Sequence, residues 1–169
     1  MPAEATPRRL LLVYHSVTGG TCQMAAAALA GARSEAAVLT TALPATEADA
    51  THVLAADGYL FASPENLATM AGVMKDFFDR CYYPVLDRIN GRPYASMICA
   101  GSDGEGAARQ IARITTGWRL RAVADPLIVR THAQTQEAIL APKMIAPADL
   151  ARCGELGAAL AAGLAMGVF

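Results

Sequence analysis

Charge is scarce in this sequence: Asp, Glu, Lys and Arg together make up 17% of it, and 14 basic against 15 acidic residues leave a formal net charge of −1. So balanced a chain carries no electrostatic footprint for nucleic acid or for an anionic membrane surface. The basic residues that do gather, Arg109, Arg113, Arg119 and Arg121, read as the solvated face of a helix and its exit. Long hydrophobic runs are missing as well. The apolar stretch after Arg8-Arg9 stops at His15 without a small-residue cleavage site, which argues for a first strand and against an export signal. The Ala-rich end, Leu156 to Phe169, is shorter than the roughly 18–20 apolar residues of a membrane span and reads as a docked terminal helix.

Cysteine is sparse too. Cys22, Cys81, Cys99 and Cys153 lie far apart and form neither C-x-x-C nor a Cys/His metal spacing, so no metal site is expected. They read as free thiols of a reducing, cytoplasmic setting, with Cys22 either a small buried residue or a thiol made reactive by the helix N-terminus beside it. Against these absences stands 54% hydrophobic content over 169 residues, enough for one domain, 1–169, with a substantial core.

Apolar runs at Leu10–Tyr14, Gly58–Ala62, Ala95–Ala100 and Leu127–Val129, with a weaker one at Ala36–Thr40, are short and nearly continuous, as strands buried on both faces are. Helical patterns separate them. Met70, Met74, Phe77, Phe78 and Cys81 share one face of a helix beginning near Leu67, and Ala107, Ile111, Ile114 and Trp118 share one face of another, which Gly117 helps to end. Strand alternating with helix predicts an α/β doubly wound parallel sheet of five strands in the order 2-1-3-4-5, in three layers α/β/α.

In such sheets ligands bind beyond the carboxyl ends of the strands where the winding reverses, so three loops should meet there: His15–Thr21, Ser63–Thr69 and Gly101–Gly106. The first is the most telling. His15-Ser16-Val17-Thr18-Gly19-Gly20-Thr21 joins a strand directly to an Ala-rich helix, and supplies backbone amides, glycines for close approach and hydroxyl donors. No Lys or Arg lies between Leu10 and Gly31, so this is not the G-x-x-x-x-G-K-[ST] loop of nucleotide hydrolases. It suits a phosphate held by amides and hydroxyls without a cation. The bland reading, a capping Ser16 or Thr18 with a tight glycine turn, uses the same residues. His15 is either a helper of this loop or a packed loop residue.

Ser16-x-Thr18-Gly19-x-Thr21 resembles the phosphate loop of the flavodoxin superfamily. Ser63-Pro64-Glu65-Asn66-Leu67 followed by Met70-x-Gly72-x-Met74-Lys75-x-Phe77-x-Asp79 resembles the second flavin loop and helix of flavodoxin-like NAD(P)H:quinone oxidoreductases and NADPH-dependent FMN reductases, and Gly91-Arg92-Pro93 with Ala95–Gly106 resembles the third. The resemblance implies a flavodoxin-like fold and FMN as cofactor. It implies that Ser16, Val17, Thr18, Gly19, Gly20 and Thr21 hold the FMN phosphate and that Pro64, Glu65, Asn66 and Leu67 lie along the isoalloxazine. Ala100, Gly101, Ser102, Asp103, Gly104, Glu105 and Gly106 would close the opposite side.

Two departures from electron-carrier flavodoxins bear on function. The second and third loops contain no aromatic residue, and the chain is not strongly acidic. Both favour an open flavin face at which NAD(P)H, as a transient co-substrate, gives way to a quinone or similar small electron acceptor. An open face also implies a second subunit covering it, hence a homo-oligomer. The alternatives are a flavodoxin-type electron carrier docking to protein partners and a flavin-free binding module. No catalytic acid is needed, because the flavin carries the chemistry. The connection Thr131–Pro147, with His132, Gln134, Gln136 and Lys143, is long for a strand-to-helix link and is either substrate- or dimer-facing or plain packing.

Overall fold

Strand β1 (Arg8–Tyr14) is an inner strand of a parallel sheet, paired between β2 (Val38–Pro44) and β3 (Gly58–Asn66). Our computed structural model describes residues 6–169. β3 pairs in turn with β5 (Pro93–Ala100), and β5 with β6 (Arg121–Ala122) near its start and β7 (Leu127–Arg130) near its end. The expected order therefore holds, but the sheet has seven strands rather than five. One addition is β4 (Thr69–Met70), which folds back antiparallel on the end of β3. The other arises because the fifth strand is broken: residues 123–126 end in Asp125-Pro126, and proline cannot donate to a ladder.

Residues alternate across the sheet as the two-residue period requires. Leu11, Val13, Tyr59, Phe61, Tyr94 and Ile98 face one core; Leu10, Leu12, Leu60, Ala62, Ala95 and Met97 face the other. Helices α2 (Ala50–Ala55), α3 (Gly72–Val85) and α4 (Glu105–Gly117) cover the first core, and α1 (Gly20–Ala32) and α6 (Pro147–Met166) cover the second. A short helix, α5 (Gln136–Leu140), lies in the connection before α6. Six of the ten aromatic side chains are buried in the first core, where Tyr59, Phe61, Phe77, Phe78, Tyr94 and Trp118 form stacked, tilted and edge-to-face pairs. The second core is aliphatic instead, Leu10, Leu12, Met24, Leu60 and Met97 interleaved with alanines. Glycines let α1 and α6 approach so closely that a Cβ on Gly31 would lie 1.9 Å from the Gly154 carbonyl oxygen.

Three local expectations need correction. α3 starts at Gly72 and not near Leu67, because residues 66–70 are spent on the β3–β4 hairpin. Gly117 does not supply the left-handed residue that ends α4; Arg119 does, at φ 59°, with its guanidinium paired to Asp87. Cys22 is exposed, whereas Cys81, Cys99 and Cys153 are buried. Among the described residues no helix is long and apolar enough to cross a membrane.

Candidate functional site

The first loop leaves the sheet at His15, whose amide donates to the Ala62 carbonyl of β3 at 3.1 Å. Gly19, at φ 90°, then turns the chain into α1, a conformation that glycine adopts without steric cost. Ser16 Oγ accepts from the Cys22 amide at 3.2 Å, so the bland capping role is real for this hydroxyl, which keeps its own proton to donate. The amides of Val17, Thr18, Gly19, Gly20 and Thr21 have no protein acceptor among the described residues. Unpaired first-turn amides carry the positive end of the helix dipole and attract anions. The Thr21 hydroxyl adds a second sign. It is 2% exposed, and its Oγ1 has no hydrogen-bond partner. A buried hydroxyl left unpaired costs about 1–3 kcal/mol, a penalty that an acceptor arriving in the loop removes.

The second loop is a hairpin under strain. Leu67 and Ala68, at φ 50° and 64°, occupy the two left-handed positions at its tip that Asn-Gly usually fills. Such residues persist only where the surroundings over-determine them. Here the ladder pairs Glu65 with Met70 and Asn66 with Thr69, the Ala71 amide donates to Ser63 Oγ at 3.0 Å, and the Met70 amide donates to Gln110 Oε1 of α4 at 2.8 Å. The Glu65 carboxylate binds the third loop to this hairpin. Its Oε1 accepts from the Gly104 amide at 2.8 Å and its Oε2 from the Ala107 amide at 3.0 Å, so it caps α4 from outside the helix. Gly106 packs against the same hairpin; a Cβ there would lie 2.0 Å from the Ala68 oxygen. Glu65→Ala should cost about 1–2 kcal/mol, the range for losing a helix cap, and Glu65→Gln less, because one acceptor remains. Urea unfolding of the two variants beside the wild type checks this order.

The three loops meet around a cavity of about 610 Å³. Ser16, Val17, Thr18, Gly20 and Thr21 line it from the first loop, Pro64, Glu65, Asn66 and Leu67 from the second, and Ala100, Gly101 and Ser102 from the third. Gly19, Asp103, Gly104, Glu105 and Gly106 do not line it. Gly19 makes the turn, and the other four form the entry to α4, where Asp103 accepts from the Glu105 amide and Glu105 faces Arg130 at 3.6 Å. The wall also contains residues beyond the expected cofactor contacts: Ala68, Cys99, Thr131, Ala133, Gln134, Ile139, Leu140 and Lys143. Six of these come from the long connection after β7, whose unusual length was the signal. His132 of that connection is not in the wall.

Burial pushes the Cys99 thiol up, so Cys99 stays a neutral thiol beneath the loop; the Lys143 ammonium and the Thr21 hydroxyl act in the opposite sense, the hydroxyl lying near the sulfur without the geometry of a hydrogen bond to it. Gly20 fits because it has no side chain: a Cβ would lie 2.6 Å from Cys99 Sγ. Partial burial lowers the pKa of His15, which favours its neutral form.

Residues 39–133 match the family described as NADPH-dependent FMN reductase, a stretch that begins in β2 and leaves the first loop outside it. No curated protein matches the chain. Among solved structures, a flavodoxin from the domain Archaea is 19% identical, covering 92% of this chain and 98% of its own, with a TM-score of 0.74. A WrbA-like flavodoxin from Agrobacterium tumefaciens is 16% identical over 95% of this chain and 98% of its own, with a TM-score of 0.70. The flavodiiron protein from Giardia intestinalis is 22% identical over 94% of this chain at a TM-score of 0.74, but only 36% of that protein is covered. These likenesses establish the fold as flavodoxin-like, and the family match over more than half the sequence establishes membership: the chain belongs to the NADPH-dependent FMN reductase family of oxidoreductases.

Proposed function

We propose that the protein binds FMN in this cavity and transfers electrons from NADPH or NADH to a quinone or a similar small acceptor. The observation that carries this reading is the first loop, where five unpaired amides and the buried, partnerless Thr21 hydroxyl surround a space that contains no cation of the loop itself. Those donors fit a phosphate monoester. Ser16, Thr18 and Thr21 would hold it through their hydroxyls and residues 17–21 through their amides, while Pro64–Leu67 and Ala100–Ser102 would flank the ring. When bound, the flavin supplies the hydride and electron chemistry, and the protein supplies orientation and electrostatics.

The rest of the wall supports a small uncharged acceptor. Its two ionisable carboxylate or ammonium groups are both occupied, Glu65 by two amides and Lys143 by three carbonyls. Among the described residues no aromatic side chain lines the cavity, which supports an open ring face there. Val17, Leu67, Ile139 and Leu140 are exposed around it, an apolar rim that supports the expected homo-oligomer, in which a second copy would cover them.

The test is direct. Purified protein given FMN should retain it through gel filtration and then oxidise NADPH or NADH continuously once a quinone is added. Retention of FMN without nicotinamide oxidation would favour the electron-carrier reading, and failure to retain it would favour the flavin-free one.

A further inference from the structure

Helix α5 buries none of its residues, yet Ile139 and Leu140 form part of the cavity wall. Five residues are far fewer than the roughly 12–15 at which an isolated helix becomes even marginal in water, and there is little packing here to compensate. Its two ends are held instead. At the start, the Ala138 amide donates to Thr135 Oγ1 at 3.2 Å. At the finish, Lys143 reaches back, and its Nζ donates to the carbonyls of Ala138 at 2.8 Å, Ile139 at 2.8 Å and Ala141 at 2.7 Å.

The backbone of Lys143 is fixed to the opposite side. Its amide donates to the Thr18 carbonyl at 2.8 Å, and its carbonyl accepts from Gln23 Nε2 at 2.7 Å. The same Gln23 side chain donates to Gly19 O at 3.0 Å and accepts from the Ile145 amide at 3.1 Å. One residue thus ties the first loop, through its main chain, to α5, through its ammonium. Lys143 is also the one cation lining the cavity among the described residues, which makes a phosphate partner the obvious assignment. The hydrogen-bond count opposes that assignment: an ammonium has three donors, and all three are committed to carbonyls.

We infer that Lys143 is a positioning residue that holds α5 as the outer wall of the cavity and so sets the width of the slot an acceptor enters. Its effect on the acceptor rests on the function proposed above; its effect on α5 does not. Removing the ammonium frees the last carbonyls of a helix left with only its Thr135 cap, and the wall loosens while the amide cradle stays intact.

Lys143→Met keeps the length and apolar character of the stem and removes the donors. Hydrogen exchange on the full-length protein without added flavin should show the amides of Ala138, Ile139 and Ala141 exchanging about tenfold faster or more in this variant, with β1, β3 and α1 unchanged. Lys143→Arg, which keeps a cation able to reach carbonyls, should restore most of that protection. The affinity for FMN should stay within about twofold of wild type, while KM for a naphthoquinone rises severalfold and kcat changes little. Wild-type exchange at α5 in Lys143→Met would overturn the inference. So would a loss of FMN affinity of about tenfold or more, because the ammonium would then serve the phosphate. Should the wild type bind no FMN, the proposed function fails, and the exchange comparison still decides the role of Lys143.

Discussion

Replacing Thr18 and Thr21 together by Val should weaken FMN binding by at least about 3 kcal/mol, more than a hundredfold in Kd, because a hydrogen bond to a charged group contributes about 1.5–3 kcal/mol. The Thr21 change is the more informative half. In the protein without flavin its Oγ1 is buried and unpaired, so Val, which has nearly the same shape, removes a penalty and leaves the fold as stable as wild type or slightly more so. Stability and affinity therefore move apart. A purely structural role for this threonine would lower both or neither. Fluorescence titration of FMN, run beside urea unfolding of the flavin-free variants, measures the two quantities separately.

Phe61→Ala should instead destabilise the fold without addressing the cradle. Phe61 is fully buried, and its ring centroid lies 5.0 Å from that of Phe78, 5.8 Å from Tyr59, 6.2 Å from Phe77 and from Tyr94, and 6.3 Å from Trp118. It stands on β3, the strand whose end becomes the second loop, at the centre of the core beneath α3 and α4. Truncating such a residue costs about 3–5 kcal/mol, a large share of the 5–15 kcal/mol typical of a whole domain. Tm should fall by roughly 10 °C or more, read by thermal unfolding. A drop of only a degree or two would mean that this core tolerates a cavity at its centre.

How much of this was legible in the sequence depends on how local each signal is. The first loop is fully local: strand, turn, glycine and helix start follow one another within seven residues, and the unpaired amides follow from that order. The buried strands were legible because apolar residues fill both faces, though the half-exposed β2 lies at Val38–Pro44, later than the weak run at Ala36–Thr40 indicates. The second loop was located but not its shape. A tip of this kind normally announces itself with Asn-Gly, and here Leu67-Ala68 occupies the left-handed positions because neighbouring hydrogen bonds force it to. For the same reason the cap that Glu65 places on α4 had no sequence signature, since donor and acceptor lie 39 and 42 positions apart. Lys143 is the extreme case. The absence of a cation from residues 10–31 said nothing about one delivered to the loop from the far end of the chain, 120 positions after Gln23. The break in the fifth strand at Asp125-Pro126 and the exposure of Cys22 likewise depend on tertiary surroundings.

The central claim is that uncharged donors at the start of α1 hold the phosphate of a mononucleotide. Comparing the affinities of the flavin-free protein for FMN and for riboflavin isolates that phosphate, because the two ligands share the ring and the ribityl chain. FMN should bind more tightly by a factor of about a thousand, the equivalent of several charge-assisted hydrogen bonds. Equal affinities would contradict the account, since the loop would then contribute nothing to holding the ligand.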